Sequence, residues 1–132
     1  HRRILVADDF PQSAEILARL LRQDGNEVQI AQNGIEAVEA AAEFQPDVAV
    51  LDLAMPKLNG YDAARLIREQ PWGKRIFLIA LSGWGHQLDR QRTKEAGFDA
   101  HLTKPAKYET FGEVLDRLGT NDEVAIDRHR EL

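Results

Sequence analysis

Five polar residues stand directly after hydrophobic runs of the sequence, and their types are those of a reactive site. Asp8 and Asp9 follow the first run, Asp52 the third, Ser82 the fourth and Lys104 the fifth. Taken singly, each has an ordinary explanation, because polar residues at strand ends commonly cap helices, shape turns or face solvent. Taken together, they supply three carboxylates, a hydroxyl and an ammonium group, a set able to bind a cation and perform nucleophilic chemistry.

Three carboxylates in one pocket would repel one another, and a single lysine cannot neutralise them all. Oxygen ligands without cysteine favour Mg²⁺ or Mn²⁺, and Mg²⁺ usually takes one or two carboxylates together with waters and a substrate phosphate. One carboxylate remains for chemistry, and Asp52 is the best candidate, since a carboxylate beside a metal and a lysine can attack phosphorus. Lys104 and the metal would then offset phosphoryl charge, while the Ser82 hydroxyl donates to a phosphoryl oxygen.

These residues share a site only if the hydrophobic runs form one parallel sheet. Five short runs alternate with segments of helical period, and the third and fourth lack polar alternation, which is typical of strands buried on both faces. The pattern predicts an α/β protein with a doubly wound, five-stranded parallel sheet and five helices. Such sheets bind ligands beyond the carboxyl ends of their strands. The predicted strands lie at 4–7, 28–30, 48–51, 76–81 and around 100–102.

The helical segments carry signals of where they begin and which face they bury. Asn33 and Glu36 have the spacing of a capping box at the start of the second helix. The fourth segment, about 87–96, is more polar and gives the weakest helical pattern. Apolar stripes predict the buried faces of the other helices: Ile16, Leu17, Leu20 and Leu21 in the first, Ile35, Val38 and Ala42 in the second, Leu66 and Ile67 in the third, and Tyr108, Phe111, Val114, Leu115 and Leu118 in the fifth.

The composition is that of one soluble domain, with 132 residues, 43% hydrophobic and 30% charged. The lack of cysteine excludes disulfides, thiolate zinc sites and cysteine nucleophiles, and it fits a reducing compartment, so we expect a cytoplasmic location. A formal charge of −5 has the wrong sign for direct nucleic-acid binding. Because the chain opens at His1 and its single methionine is Met55, we expect it to be either processed or cut from something longer.

In their order and spacing, these motifs resemble the receiver domain of two-component response regulators. Each matching segment is weak alone, but the ordered set is specific, and it covers residues 2–119, leaving 120–132 as a tail or linker. The resemblance implies a flavodoxin-like sheet with strand order 2-1-3-4-5. Four segments match. They are residues 4–9, which end in the acidic pair; the run from Asp52 to Pro56, with Gly60 beyond it; Leu81-Ser82-Gly83; and Lys104-Pro105, which follows the matching segment 96–100.

The same resemblance implies a role for each acidic residue. Asp52 is then the phosphoacceptor, and Asp9 and Asp52 ligate Mg²⁺ or Mn²⁺ directly. Asp8 acts through a water, and the backbone carbonyl of Ala54 supplies a further metal ligand. The resemblance therefore implies a metal-dependent phosphorylation site rather than a turnover enzyme. The domain would nevertheless assist both its own phosphorylation and its own dephosphorylation, the latter being slow.

The resemblance also implies which residues bind the phosphoryl group and which surface transmits the signal to partners. Ser82 and Lys104 hold the phosphoryl oxygens, and the donor is a phosphohistidine on a histidine kinase or phosphotransfer protein. The fourth helix, fifth strand and fifth helix form the face that partners read, which in the family often forms dimers. The late-chain segment 89–105 is most similar to receivers at the carboxyl end of hybrid sensor kinases, while a stand-alone regulator or part of a transcription factor remains open.

Two positions depart from the family pattern. His101 stands where the family usually has Tyr or Phe, whose rotamer couples phosphorylation to the output face; it either fills space or, with Ser82, forms a switch that also senses pH. Trp84 either packs against its neighbours or shields the acyl phosphate from water.

Other classes of protein remain as alternatives. A phosphatase of the haloacid dehalogenase type also uses an Asp nucleophile, Lys and Mg²⁺, but it expects a second Asp where this chain has Ala54. A flavodoxin-like cofactor binder would place neutral donors, rather than Asp8 and Asp9, opposite an anionic phosphate. A third alternative is a phosphorylation-independent interaction module.

Overall fold

A parallel sheet with strand order β2-β1-β3-β4-β5-β6 forms the centre of the computed structural model, which describes residues 1–83, 90–104, 108–119 and 130–131. The predicted order 2-1-3-4-5 is confirmed, and a two-residue strand from the tail extends the sheet beyond β5. The strands are β1 (Arg3–Ala7), β2 (Glu27–Ala31), β3 (Val48–Asp52), β4 (Phe77–Ser82), β5 (Ala100–Thr103) and β6 (Arg130–Glu131). The helices are α1 (Pro11–Gln23), α2 (Gly34–Phe44), α3 (Gly60–Glu69), α4 (Arg90–Ala96) and α5 (Tyr108–Gly119), with a 3₁₀ turn at Pro71–Gly73.

The register of the central strands aligns their carboxyl ends at one edge of the sheet. Asp52 at the end of β3 pairs with Leu81, and Ser82 at the end of β4 pairs with Thr103. All residues of β3 and β4 are buried, as expected for strands covered on both faces. The polar residues that follow these strands therefore meet at one edge.

Successive residues of each strand pack into two separate cores, because side chains alternate between the faces of a sheet. On one face Leu5, Leu51 and Leu78 pack with residues of α2, α3 and α4. On the other face Val6 and Ile79 pack with residues of α1 and α5. The two helical layers hold the sheet, and hence its carboxyl edge, from both sides.

Two asparagines begin the helices on the α2–α3 side. The Asn33 side chain accepts a hydrogen bond from the Glu36 backbone N–H at 2.9 Å, which confirms the predicted start of α2. The Glu36 carboxylate accepts the Gln32 backbone N–H at 3.1 Å, one residue before the N-cap N–H that a capping box uses. Asn59 caps α3 in the same way, accepting from the Asp62 N–H at 2.9 Å. These caps fix where α2 and α3 leave the edge that carries the site.

Several of the large apolar residues predicted to be buried face solvent instead. Ile16 of α1 is 61% exposed, Ile35 of α2 is 45% exposed and Leu66 of α3 is 39% exposed. Most of the buried positions of these helices are alanine or glycine, because a close approach to the sheet leaves little room there, and each helix adds one or two large residues. The buried positions include Ala14, Ala18 and Leu21 in α1, Ala37, Ala41 and Phe44 in α2, and Ala63, Ala64 and Ile67 in α3.

A buried ion pair joins α3 to the loops at the opposite edge of the sheet. Arg68 of α3 donates to the Asp99 carboxylate at 2.7 Å, to the Gly97 carbonyl at 3.0 Å and to the Ile76 carbonyl at 2.7 Å. Asp99, whose side chain is 3% exposed, also accepts the Leu78 backbone N–H at 3.0 Å. Arg68 thus ties the start of β4 and the segment between α4 and β5 to one helix.

Some sequence-based predictions fall outside the described residues. Trp84 and the predicted first turn of the fourth helix lie in 84–89, and most of the tail lies in 120–129. Within the described ranges, no helix combines the length and apolar character needed to cross a bilayer.

Candidate functional site

Three aspartates converge at the carboxyl edge of the sheet, as their positions in the sequence predicted. Asp8 and Asp9 follow β1, and Asp52 ends β3, which pairs directly with β1. One carboxylate oxygen from each lies within 4.8 Å of the others. Asp8 and Asp52 are buried, whereas Asp9 is exposed to solvent. The cluster is therefore a pocket with two buried carboxylates in its floor and one at its rim.

Lys104 lies between the two buried carboxylates. Its Nζ is 2.7 Å from an Asp52 oxygen and 3.2 Å from Asp8. The Lys104 backbone N–H donates to the Ser82 carbonyl at 2.8 Å, which fixes the lysine beside the end of β4. Burial alone would lower the pKa of Lys104, but the hydrogen bond and charge of Asp52, helped by Asp8, raise it above its usual value. The ammonium therefore stays charged and partly neutralises the pocket.

Asp8 is held by the loop that follows it. Its carboxylate accepts the Phe10 backbone N–H at 3.0 Å. Burial raises the pKa of Asp8 above its ordinary value, the Phe10 N–H lowers it, a hydrogen bond with Asp52 raises it and Lys104 lowers it, with a net rise. A divalent cation at this point would favour the ionised carboxylate. The Phe10 contact was missed from the sequence because a backbone N–H leaves no signal in the residue type.

The loop after Asp52 positions the carboxylate through backbone contacts. The Ala54 N–H donates to one Asp52 oxygen at 3.0 Å, leaving the other to Lys104. The Gly60 N–H donates to the Leu53 carbonyl at 3.1 Å, which closes the loop onto α3. This closure brings Gly60 so near the strand end that a β-carbon there would lie 2.4 Å from the Asp52 carbonyl oxygen.

We expect Gly60→Ala to destabilise the domain by about 1–3 kcal/mol, since the added methyl group meets backbone that cannot move freely. Urea unfolding followed by circular dichroism measures this loss. Gly112→Ala in α5 is the matched control, because nothing lies within 4 Å of its new β-carbon. That variant should instead gain up to about 1 kcal/mol from helix propensity. Equal unfolding midpoints for the two variants would contradict the close approach at Gly60.

The two predicted switch residues lie on neighbouring strands. Ser82 ends β4 beside the carboxylates and is 2% exposed. His101 in β5 is also 2% exposed, and it pairs with Ala80 of β4. The side chains of His101 and Ala80 therefore lie on the same face of the sheet, the one that packs on α2, α3 and α4. Glu131 of β6 is its neighbour on the other side. The structure thus brings Asp8, Asp9, Asp52, Lys104 and Ser82 to one edge and places His101 within the sheet.

The donor set fits a hard divalent cation. Three carboxylates offer only oxygen, and among the described residues they converge in one place with the Lys104 ammonium beside two of them. Mg²⁺ accepts this kind of ligand and keeps several waters, which suits a pocket whose third carboxylate is open to solvent. The residues able to hold such an ion are Asp8, Asp9 and Asp52.

Comparison with known proteins agrees with this geometry. The response regulator receiver domain family matches residues 4–116, so the chain belongs to this family. PilH of Pseudomonas aeruginosa is 34% identical over 114 residues, which cover 86% of this chain and 94% of PilH. Signalling by phosphoryl acceptance is the function of receiver domains, and therefore of this chain.

Two similar receiver domains have been solved, one with a bound ion and the other with a partner protein. The receiver domain of the sensor histidine kinase PA1611 from Pseudomonas aeruginosa has a magnesium ion coordinated in its active-site cleft. It is 34% identical, with a TM-score of 0.80, over 88% of this chain and 95% of that one. The Saccharomyces cerevisiae Ssk1 receiver domain, crystallised with the histidine phosphotransfer protein Ypd1, is 25% identical, with a TM-score of 0.81, over 89% of this chain and 88% of the matched chain.

Proposed function

We propose that the phosphoryl group is accepted on Asp52 and that Lys104, Ser82 and the acidic cluster serve that transfer. The observation that carries this assignment is the position of Lys104 Nζ, 2.7 Å from Asp52 and 3.2 Å from Asp8. Phosphoryl acceptance requires a carboxylate nucleophile, a positive charge beside it and groups that can bind a cation. Asp52, Lys104 and the neighbouring carboxylates of Asp8 and Asp9 supply these three parts.

The proposed transfer takes the phosphoryl group from a phosphohistidine. A carboxylate oxygen of Asp52 forms the new bond to phosphorus as the bond from phosphorus to the histidine nitrogen breaks, and the imidazole leaves with that electron pair and takes up a proton. The Ala54 N–H holds the other Asp52 oxygen in place. Lys104 offsets charge on the phosphoryl oxygens, and the Ser82 hydroxyl donates to one of them.

A bound Mg²⁺ would supply further neutralisation of phosphoryl charge. Asp9 and Asp52 are its proposed direct ligands, with the Ala54 carbonyl as another and Asp8 acting through a water. The buried position of Asp8 and its hydrogen bond from Phe10 support a fixed, indirect role, because this carboxylate is already oriented by the protein.

The proposed output runs through Ser82 and His101 to the α4–β5–α5 face. Ser82 would follow the phosphoryl group, and His101 stands one strand away in the same sheet. A pH-sensitive output through the His101 imidazole remains part of this proposal. Homodimerisation through the same face is also proposed.

A histidine kinase or histidine phosphotransfer protein is the proposed donor, and the similarity to Ssk1 in its complex with Ypd1 supports this choice. The acidic charge of the chain supports a domain that does not itself bind nucleic acid. A cytoplasmic setting and a place within a hybrid sensor kinase complete the proposal, the latter supported by the similarity to the PA1611 receiver. The phosphatase alternative is not favoured, because Ala54 occupies the position where that class has its second aspartate.

The test is incubation with acetyl phosphate and Mg²⁺, followed by intact mass spectrometry. We expect one phosphoryl adduct, because the domain assists its own phosphorylation from a small donor. Removal of the divalent cation with EDTA should abolish the adduct, and renewed Mg²⁺ should restore it. An unmodified wild-type protein, or an adduct that forms equally well in EDTA, would overturn the proposal.

A further inference from the structure

Within the described residues, helix α4 spans Arg90–Ala96, and two of these seven residues, Thr93 and Ala96, are buried. Most of the stability of a helix in a protein comes from tertiary packing, so the position of α4 depends on its tertiary contacts. Those contacts therefore control how readily the helix moves.

One of these contacts is a cation–π stack with α3. The guanidinium carbon of Arg92 lies 4.1 Å from the centre of the Tyr61 ring. Tyr61 is 4% exposed, so the ring is fixed in the core while the cation covers it from the solvent side. At an exposed site such a stack changes an equilibrium by a factor of about two to five.

Tyr61 is also joined to the phosphoacceptor strand. It follows Gly60, whose N–H donates to the Leu53 carbonyl and which lies so near the strand end that an added β-carbon would be 2.4 Å from the Asp52 carbonyl oxygen. A shift of the strand end at Asp52 therefore moves the first turn of α3, and with it the ring under Arg92. The packing gives a short, contiguous connection from the acidic pocket to α4.

The other end of α4 is anchored. Gly97, with a φ of +98°, ends the helix, and the Phe98 and Gly97 N–H groups return to the carbonyls of Thr93 and Lys94. Arg68 fixes the Gly97 carbonyl at 3.0 Å. Because this end is fixed, the Arg92 contact one turn earlier is a point, among the described residues, at which α4 can separate from α3.

We propose that the Arg92–Tyr61 stack is a releasable contact that holds α4 in its unphosphorylated position. This inference rests on the proposed phosphorylation of Asp52. The stack then favours the unphosphorylated position of α4, and phosphorylation favours the other position. Removing the stack therefore shifts the equilibrium between these positions toward the phosphorylated one, by the factor of about two to five that the stack contributes.

The test compares Arg92→Gln with Lys94→Gln, which removes an equal charge from the same helix. Two quantities are measured: hydrogen exchange of the α4 amides in the unmodified protein, and affinity for beryllofluoride, a stable mimic of the aspartyl phosphate, with Mg²⁺. Arg92→Gln should exchange about two to five times faster in α4 and bind beryllofluoride more tightly by the same factor. Lys94→Gln should match the wild type in both.

Tyr61→Phe and Tyr61→Leu separate the ring from the hydroxyl. Phe keeps the aromatic face and should behave as the wild type, whereas Leu should reproduce the effect of Arg92→Gln. Unchanged α4 exchange in Arg92→Gln, or faster exchange with unchanged beryllofluoride affinity, would overturn the inference. A wild-type protein that takes up neither acetyl phosphate nor beryllofluoride would instead overturn the proposed function, a result distinct from either of these.

Discussion

The variant Asp52→Asn should take up no phosphoryl group from acetyl phosphate under conditions in which the wild type is modified. An amide has the shape of the carboxylate and can still accept the Ala54 N–H, so the loop after β3 keeps its support. The amide cannot act as the nucleophile, and it removes one of the three charges available to a cation. We therefore expect complete loss of the adduct in intact mass spectra with little change in the folded structure.

Asp116→Asn is the matched control, because Asp116 is an exposed aspartate of α5, distant in sequence from the acidic pocket. It should be modified as the wild type is, and circular dichroism should show both variants folded. An adduct of undiminished yield on Asp52→Asn would place the phosphoacceptor elsewhere. Peptide mapping of that adduct would then identify the residue.

Arg68→Met should lower the free energy of unfolding by about 3 kcal/mol, the scale expected when one partner of a buried ion pair is removed. Methionine can keep the aliphatic packing over Gly97 but not the charge beside Asp99, which is 2% exposed. The carbonyls of Ile76 and Gly97 also lose a donor at 2.7 and 3.0 Å. Urea unfolding at neutral pH measures the change.

Arg65→Met is the control for this substitution, since it removes the same group from the same helix. Arg65 pairs with Asp62 at 3.3 Å on the surface, where both side chains are more than 40% exposed. Such a pair contributes at most about 1 kcal/mol. Adding Asp99→Asn to Arg68→Met should recover part of the stability, because the buried charge is gone. Equal losses for Arg65→Met and Arg68→Met would show that the Asp99 pair does not stabilise the fold.

The sequence predicted the sheet and most of the site because both depend on local pattern. Hydrophobic runs marked the strands, and the polar residues directly after them marked the carboxyl edge. Strand order then followed from the family resemblance. The sequence predicted that Lys104 would lie near Asp52 and Asp8, because all three follow strands that end at one edge of the sheet. It could not predict the distances between them.

The buried faces of the helices were harder to predict, because hydrophobicity alone favours large side chains. In α1 it selected Ile16, which is 61% exposed, over Ala14 and Ala18, which line the sheet. How closely a helix approaches a sheet is a property of the assembled fold, so small residues cannot be recognised as contact residues beforehand. The Arg68–Asp99 pair was missed for a similar reason, since its partners lie 31 residues apart without a shared motif.

The parallel direction of the strands also determines where the molecule can be tethered. β1 begins at Arg3 and runs five residues toward Asp8, so its start lies about 16 Å from the acidic pocket along the sheet. A tag, dye or surface linker joined before His1 would leave from the far side of the molecule. Immobilisation by that end therefore leaves the pocket facing outward, ready for a phosphodonor supplied in solution.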